Sequence, residues 1–99
     1  MLTAFETQEF KKRAAKVWTE DERLEFITWI VQNPHAGDVV RESQGARKVR
    51  WTVPGRGKSG GVRVIYYYLS DDGMIYLATL YTKVERESMT GTQIKSKRS

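Results

Sequence analysis

Val62-Arg63-Val64-Ile65-Tyr66-Tyr67-Tyr68-Leu69-Ser70-Asp71-Asp72-Gly73-Met74-Ile75-Tyr76-Leu77-Ala78-Thr79-Leu80-Tyr81-Thr82-Lys83 reads as two strands joined by a hairpin turn. Both runs are rich in β-branched and aromatic residues, and Asp72-Gly73 is a strong hairpin signal. Upstream, Ala46 to Val53 also has period two: Arg47, Val49, Trp51 and Val53 alternate with Lys48, Arg50 and Thr52. That strand has one largely apolar face and one cationic face. Pro54 to Gly61 is a glycine-rich connector. It lacks the G-x-x-x-x-G-K-[ST] pattern and precedes a strand rather than a helix, so it is not a P-loop. It reads as a basic hairpin loop, with Arg56 and Lys58 able to reach a phosphate backbone.

Toward the N-terminus the period becomes 3.6. Phe10, Ala14 and Val17 lie on one face of a helix over 6–17. Thr19 and Glu22 form a capping-box pattern, with Glu20-Asp21-Glu22 at the positive end of the helix dipole. Leu24, Ile27 and Val31 form the apolar stripe of this second helix, widened by Phe26 and Ile30, and Asn33-Pro34 ends it. The expected fold is α+β: two N-terminal helices packed on one face of a small antiparallel sheet of three to four strands. A short strand near Leu2 to Phe5 is the optional fourth. Residues 1–89 form the expected domain, and 90–99 a polar, disordered tail.

The chain has 99 residues, a net charge of +5 and no cysteine. Disulfides, cysteine metal sites and thiol catalysis are thereby excluded. No apolar run approaches a membrane span, and no signal-peptide pattern opens the chain. A cytoplasmic location without membrane association is expected. Residues 1–40 carry five basic and seven acidic residues, and 41–99 carry twelve and five. A basic block this concentrated calls for a polyanion, of which nucleic acid is the commonest. The competing explanation is a solvated, solubilising face.

Register sharpens the point. Lys48 and Arg50 share a strand face. Arg63, Ile65 and Tyr67 project together from the next strand, as do Thr79, Tyr81 and Lys83 from the last. Strand pairing can bring the cations and Tyr81 into one patch. Like charges opposite each other destabilise a sheet, so such a cluster points to an anionic ligand. Tyrosines within it suit unstacked RNA bases. No histidine pair, cysteine or carboxylate set has metal-ligand spacing. His35, the single histidine, lies in a turn and reads as a surface residue. No metal or cofactor is expected. An enzyme built from Lys, Arg and Tyr can still cut RNA, because the 2′-hydroxyl is an internal nucleophile. The protein must align it, move its proton and neutralise the transition state.

Over residues 8–89 the chain resembles the RelE/ParE toxin superfamily, and the HigB-like branch in particular. The resemblance rests on Asn33-Pro34-His35-Ala36-Gly37-Asp38-Val39-Val40, Gly45-Ala46-Arg47-Lys48-Val49-Arg50 and Gly57-Lys58-Ser59-Gly60-Gly61-Val62-Arg63-Val64-Ile65-Tyr66-Tyr67. It implies the toxin of a type II toxin–antitoxin system, a ribosome-dependent endoribonuclease that cleaves messenger RNA during translation. The implied partners are a HigA-like helix-turn-helix antitoxin, the ribosome and messenger RNA. The implied catalytic set is Lys48, Arg50, Arg63 and Lys83, with Tyr81 as a substitute for a missing C-terminal tyrosine. Val84 stands where RelE has an arginine, and Thr90-Gly91 where RelE has that tyrosine. Arg47, Arg56, Lys58 and Tyr67 are the expected RNA-binding residues. Two other classes fit the same fold: a ParE-like gyrase inhibitor without RNase activity, and a non-catalytic nucleic-acid-binding domain.

Overall fold

A computed structural model describes residues 2–52, 61–82 and 90–96. The elements run β1 (Thr3–Glu6), α1 (Gln8–Val17), α2 (Glu20–Gln32), β2 (Asp38–Val39), β3 (Arg47–Trp51), β4 (Val62–Leu69), a 3-10 turn (Ser70–Asp72), β5 (Met74–Thr82) and α3 (Gly91–Lys95). The class is α+β. The sheet has five strands in the order β1-β5-β4-β3-β2, so the three to four expected strands were too few. It is also not purely antiparallel: β1 pairs parallel with β5, Thr3 opposite Met74 and Glu6 opposite Leu77. The α1–α2 hairpin and the β2–β4 meander lie between these two strands in sequence, so β1 and β5 can run side by side.

Both helices start on the side-chain caps their sequences offer. The Thr7 hydroxyl accepts from the Phe10 N–H, and Thr19 and Glu22 complete a reciprocal capping box. Phe10, Ala14, Trp18, Phe26 and Ile30 pack against Val49, Val62, Val64, Tyr66, Ile75, Leu77 and Leu80 of the sheet. Phe26 sits among Trp18, Trp29 and Trp51, with ring centroids 5.3–6.3 Å apart. This aromatic packing sets the phase of α2. Phe26 and Ile30 form its buried edge, and Leu24, expected in the apolar stripe, is 47% exposed. Arg23 pairs with Glu6 and ties α2 to β1.

Tyr66 fixes the turn after α2. Its hydroxyl accepts from the Gly37 N–H at 2.9 Å and donates to the Pro34 carbonyl at 2.8 Å. Burial pushes its phenol above the ordinary tyrosine range, and the Gly37 bond only partly opposes this.

The other sheet face carries a second apolar cluster: Ala46, Ile65, Tyr67, Ala78, Tyr81 and Ile94. Ile94 belongs to α3, where a disordered tail was expected. Thr90 and Gln93 form a capping box at its start. Gly91 lies so close to the Arg41 and Glu42 backbone that a Cβ there would collide with it. Among the described residues, α3 therefore covers one end of the β3–β4–β5 face, and Arg50 on its β3 margin is exposed.

Candidate functional site

Register builds the site. Arg50 of β3 stands directly opposite Arg63 of β4, and Arg63 stands opposite Tyr81 of β5. Lys48, two residues from Arg50, stands opposite Ile65. Lys48, Arg50 and Arg63 thus share the face opposite α1 and α2. Arg50 is exposed, and Lys48 and Arg63 are half-buried. Asp38 of β2 stands opposite Lys48 on its other side, and among the described residues no salt bridge forms with Lys48 or Arg50.

Arg63 is held by the sheet itself. It lies between buried Val62 and Val64 on a strand paired on both sides. Its Nη1 donates to the Gly61 carbonyl at 3.4 Å. Gly61 has φ +81°, and a Cβ there would come within 2.6 Å of the Trp51 carbonyl oxygen. Only glycine lets the chain enter β4 this close to β3.

Other expected site residues lie elsewhere or deeper. Tyr67 is on the correct face but only 2% exposed. Its hydroxyl donates to the Ser43 carbonyl at 2.8 Å, and its ring meets Tyr76 edge-on. It is a wall of the second cluster rather than the expected stacking platform for bases. Tyr81 shares the row of Arg50 and Arg63 but is 1% exposed, packed in the cluster that Ile94 joins. The expected exposed tyrosine beside the cations is therefore absent. Arg47 points to the opposite face, where Nη1 donates to Gly37 O at 2.7 Å and His35 O at 3.4 Å. There it braces the turn that Tyr66 also holds. Thr79, expected beside Tyr81, donates its hydroxyl to Glu9 of α1. The β4–β5 pairing skips Ala78, and this bulge re-aims the side chains after it. Lys83, Arg56 and Lys58 lie outside the described residues.

Sequence reasoning missed Ser43, a buried residue whose Oγ accepts from the Ala46 N–H and donates to the Val40 carbonyl. It shapes the loop that leads into β3, where Glu42 and Gln44 both adopt positive φ. It missed α3 as well, although Thr90-x-x-Gln93 repeats the cap logic of Thr19-x-x-Glu22.

Chemically, this margin carries one primary amine and two guanidinium groups among the described residues. Planar guanidinium forks match phosphate oxygens, and a lysine can hold or release a proton. The Arg50–Arg63 juxtaposition also has a thermodynamic cost. Arg50→Ala should raise unfolding free energy by about 0.2–1 kcal/mol, the usual scale for a cross-strand pair. Chemical denaturation by urea at low ionic strength measures this. The gain should shrink in 1 M salt, where the screening length falls to about 3 Å. An Arg50→Ala protein less stable than wild type at low salt would show that the pair is not repulsive.

No family model matches the chain. Solved structures do share its fold. One is a mutant of the E. coli toxin RelE in the free state. It is 13% identical with a TM-score of 0.66, over 98% of this chain and 96% of that one. Another is the intact E. coli RelBE toxin–antitoxin complex. The match there is 12% identical with a TM-score of 0.62, over 83% of this chain and 96% of that one. The fold is the RelE fold.

Proposed function

We propose that this chain is the toxin of a type II toxin–antitoxin pair and an endoribonuclease that cuts messenger RNA on the ribosome. The observation that carries the reading is the opposed Arg50–Arg63 pair beside Lys48 on the open margin of a RelE fold. A sheet gains nothing from opposed like charges, whereas a phosphodiester between them gains two guanidinium forks.

In the reaction, the 2′-oxygen of a messenger nucleotide forms a bond to the adjacent phosphorus. The bond from phosphorus to the 5′-oxygen of the next nucleotide breaks. The Lys48 amine takes the 2′-hydroxyl proton, and the departing 5′-oxygen takes a proton from water. Arg63 and Arg50 hold the charge that builds on the phosphoryl oxygens. Lys83 and Tyr81 complete the proposed catalytic set. Tyr81 reaches the reacting atoms only if the cover at Ile94 moves. Arg56 and Lys58 hold the RNA backbone. The ribosome supplies the alignment that so small a site lacks.

The Asn33–Val40 and Gly57–Tyr67 motifs favour the HigB-like branch, and with it a HigA-like helix-turn-helix antitoxin. A ribosome-bound enzyme works in the cytoplasm, and no helix among the described residues is long and apolar enough to cross a membrane. The gyrase-inhibitor alternative uses a protein target and needs no opposed arginines. The end groups of cut message test the chemistry. Attack by the 2′-oxygen leaves a 2′,3′-cyclic phosphate upstream and a 5′-hydroxyl downstream. Fragments with 5′-phosphates would overturn this mechanism.

A further inference from the structure

The proposed reaction leaves one charged group on the cationic face unused. Asp38 of β2 stands opposite Lys48, so its side chain leaves the same side of the sheet as Lys48, Arg50 and Arg63. It is the one acidic residue that the described strands place there, because Glu6 turns to Arg23 on the helix side. Opposite charges directly across a ladder attract each other. Asp38 is nevertheless exposed, and its carboxylate makes no salt bridge or hydrogen bond among the described residues.

The turn that carries Asp38 is pinned, although β2 is an edge strand of two residues. The Gly37 N–H donates to the Tyr66 hydroxyl, which in turn donates to the Pro34 carbonyl. The Gly37 carbonyl accepts from Arg47 at 2.7 Å. Gly37 is buried so closely against β3 that a Cβ there would come within 2.9 Å of the Lys48 carbonyl oxygen. Contacts from β3 and β4 thus fix the residue beside Asp38 and leave its carboxylate facing solvent. A charge that merely guards a sheet edge against other strands needs no such bracing, whereas an acceptor that must meet a ligand gains from it.

The chemistry of the carboxylate selects its ligand group. An ionised carboxylate only accepts hydrogen bonds, and so does a phosphate diester. Asp38 therefore has nothing to offer the phosphates that Lys48, Arg50 and Arg63 attract. A nucleobase does carry donors, and unpaired bases expose their Watson–Crick edges. Guanine alone presents two adjacent donors there, N1–H and N2–H, which match the two oxygens of one carboxylate. The spacing agrees. Asp38 lies one strand, about 5 Å, beyond Lys48 and two residues, about 7 Å, along from the row of Arg50 and Arg63. That is the scale of the step from a phosphate to the base of the same nucleotide.

We infer that Asp38 is a specificity-determining residue: its carboxylate accepts from N1–H and N2–H of an unpaired guanine whose phosphate rests on Lys48, Arg50 and Arg63. The inference rests on the proposed action on RNA, and it adds the base that the site prefers.

The test uses the full chain, labelled with ¹⁵N, and short oligouridylates in which one central uridine is kept or replaced by guanosine or inosine. All are 2′-O-methylated, which blocks cleavage and removes the 2′-hydroxyl as a competing donor. The guanosine form should bind more tightly than the uridine form by at least about fivefold, the lower end for one bidentate base contact. It should shift the Asp38, Val39 and Lys48 amides. Inosine lacks the N2 amino group and should lose most of the gain. Asp38→Ala and Asp38→Asn should bind the guanosine and inosine forms equally, with the Gly37 amide of the free protein in place to show that the turn is intact. Equal wild-type affinity for guanosine and inosine overturns the inference. So do shifts centred elsewhere, no binding, or a guanosine preference that survives Asp38→Ala. A uniform rise in affinity on Asp38→Ala, with the preference unchanged, would make Asp38 a general repellent of phosphate and overturn it as well. Message cleavage is read separately. A protein that cuts no message loses the nuclease reading and keeps the base preference, and one that cuts message but binds guanosine and inosine alike does the reverse.

Discussion

Arg63→Ala should lower message cleavage on translating ribosomes by roughly 10²–10³ while leaving the protein folded, the usual cost of removing one preorganised donor to a charged transition state. The preorganisation is visible in the strand. Val62 and Val64 are buried on either side, β3 and β5 flank β4, and Gly61 O takes one guanidinium N–H. Arg63 is half-buried rather than part of the core, so its truncation should cost little stability. Single-turnover cleavage on programmed ribosomes gives the rate, and urea denaturation gives the fold. A folded Arg63→Ala protein that cuts at the wild-type rate would remove Arg63 from the chemistry.

Lys48→Arg should be as damaging, by roughly 10²–10⁴, although it preserves the positive charge. General acid–base groups contribute on that scale, and a guanidinium does not give up its proton in a protein. Lys48 is the only described amine on the cationic margin. Charge-preserving replacement therefore separates proton transfer from electrostatics. If Lys48 moves the proton, Lys48→Arg and Lys48→Ala fall together in rate. If Lys48 only attracts phosphate, Lys48→Arg retains the wild-type rate, and the proton-transfer role is excluded.

Much of the site was legible because period two is a strict code. One-residue alternation assigned Lys48 and Arg50 to one face, strand pairing allowed Arg63 to join them, and the register places Arg50 opposite Arg63. Capping chemistry located α2 in the same way. What escaped were effects that alternation does not encode. The pairing irregularity at Ala78 adds a residue to β5, so Thr79 turns to Glu9 on α1 rather than joining Tyr81. The short N-terminal strand was expected and lies at the sheet edge, but no local pattern announces its parallel pairing with β5. Tyr67 and Tyr81 were placed on the correct face but at the wrong depth. Burial there depends on Ile94, a single apolar residue in a polar stretch. Arg47 shows the converse. Its charge suggested RNA, while its strand position gave it to the turn carbonyls of Gly37 and His35.

The most direct test of the central claim is primer extension on a defined message incubated with the purified protein, with and without translating ribosomes. The expected result is discrete cuts within the translated frame that require ribosomes and vanish with Arg63→Ala. Intact message under both conditions, together with inhibition of DNA gyrase by the same preparation, would contradict it.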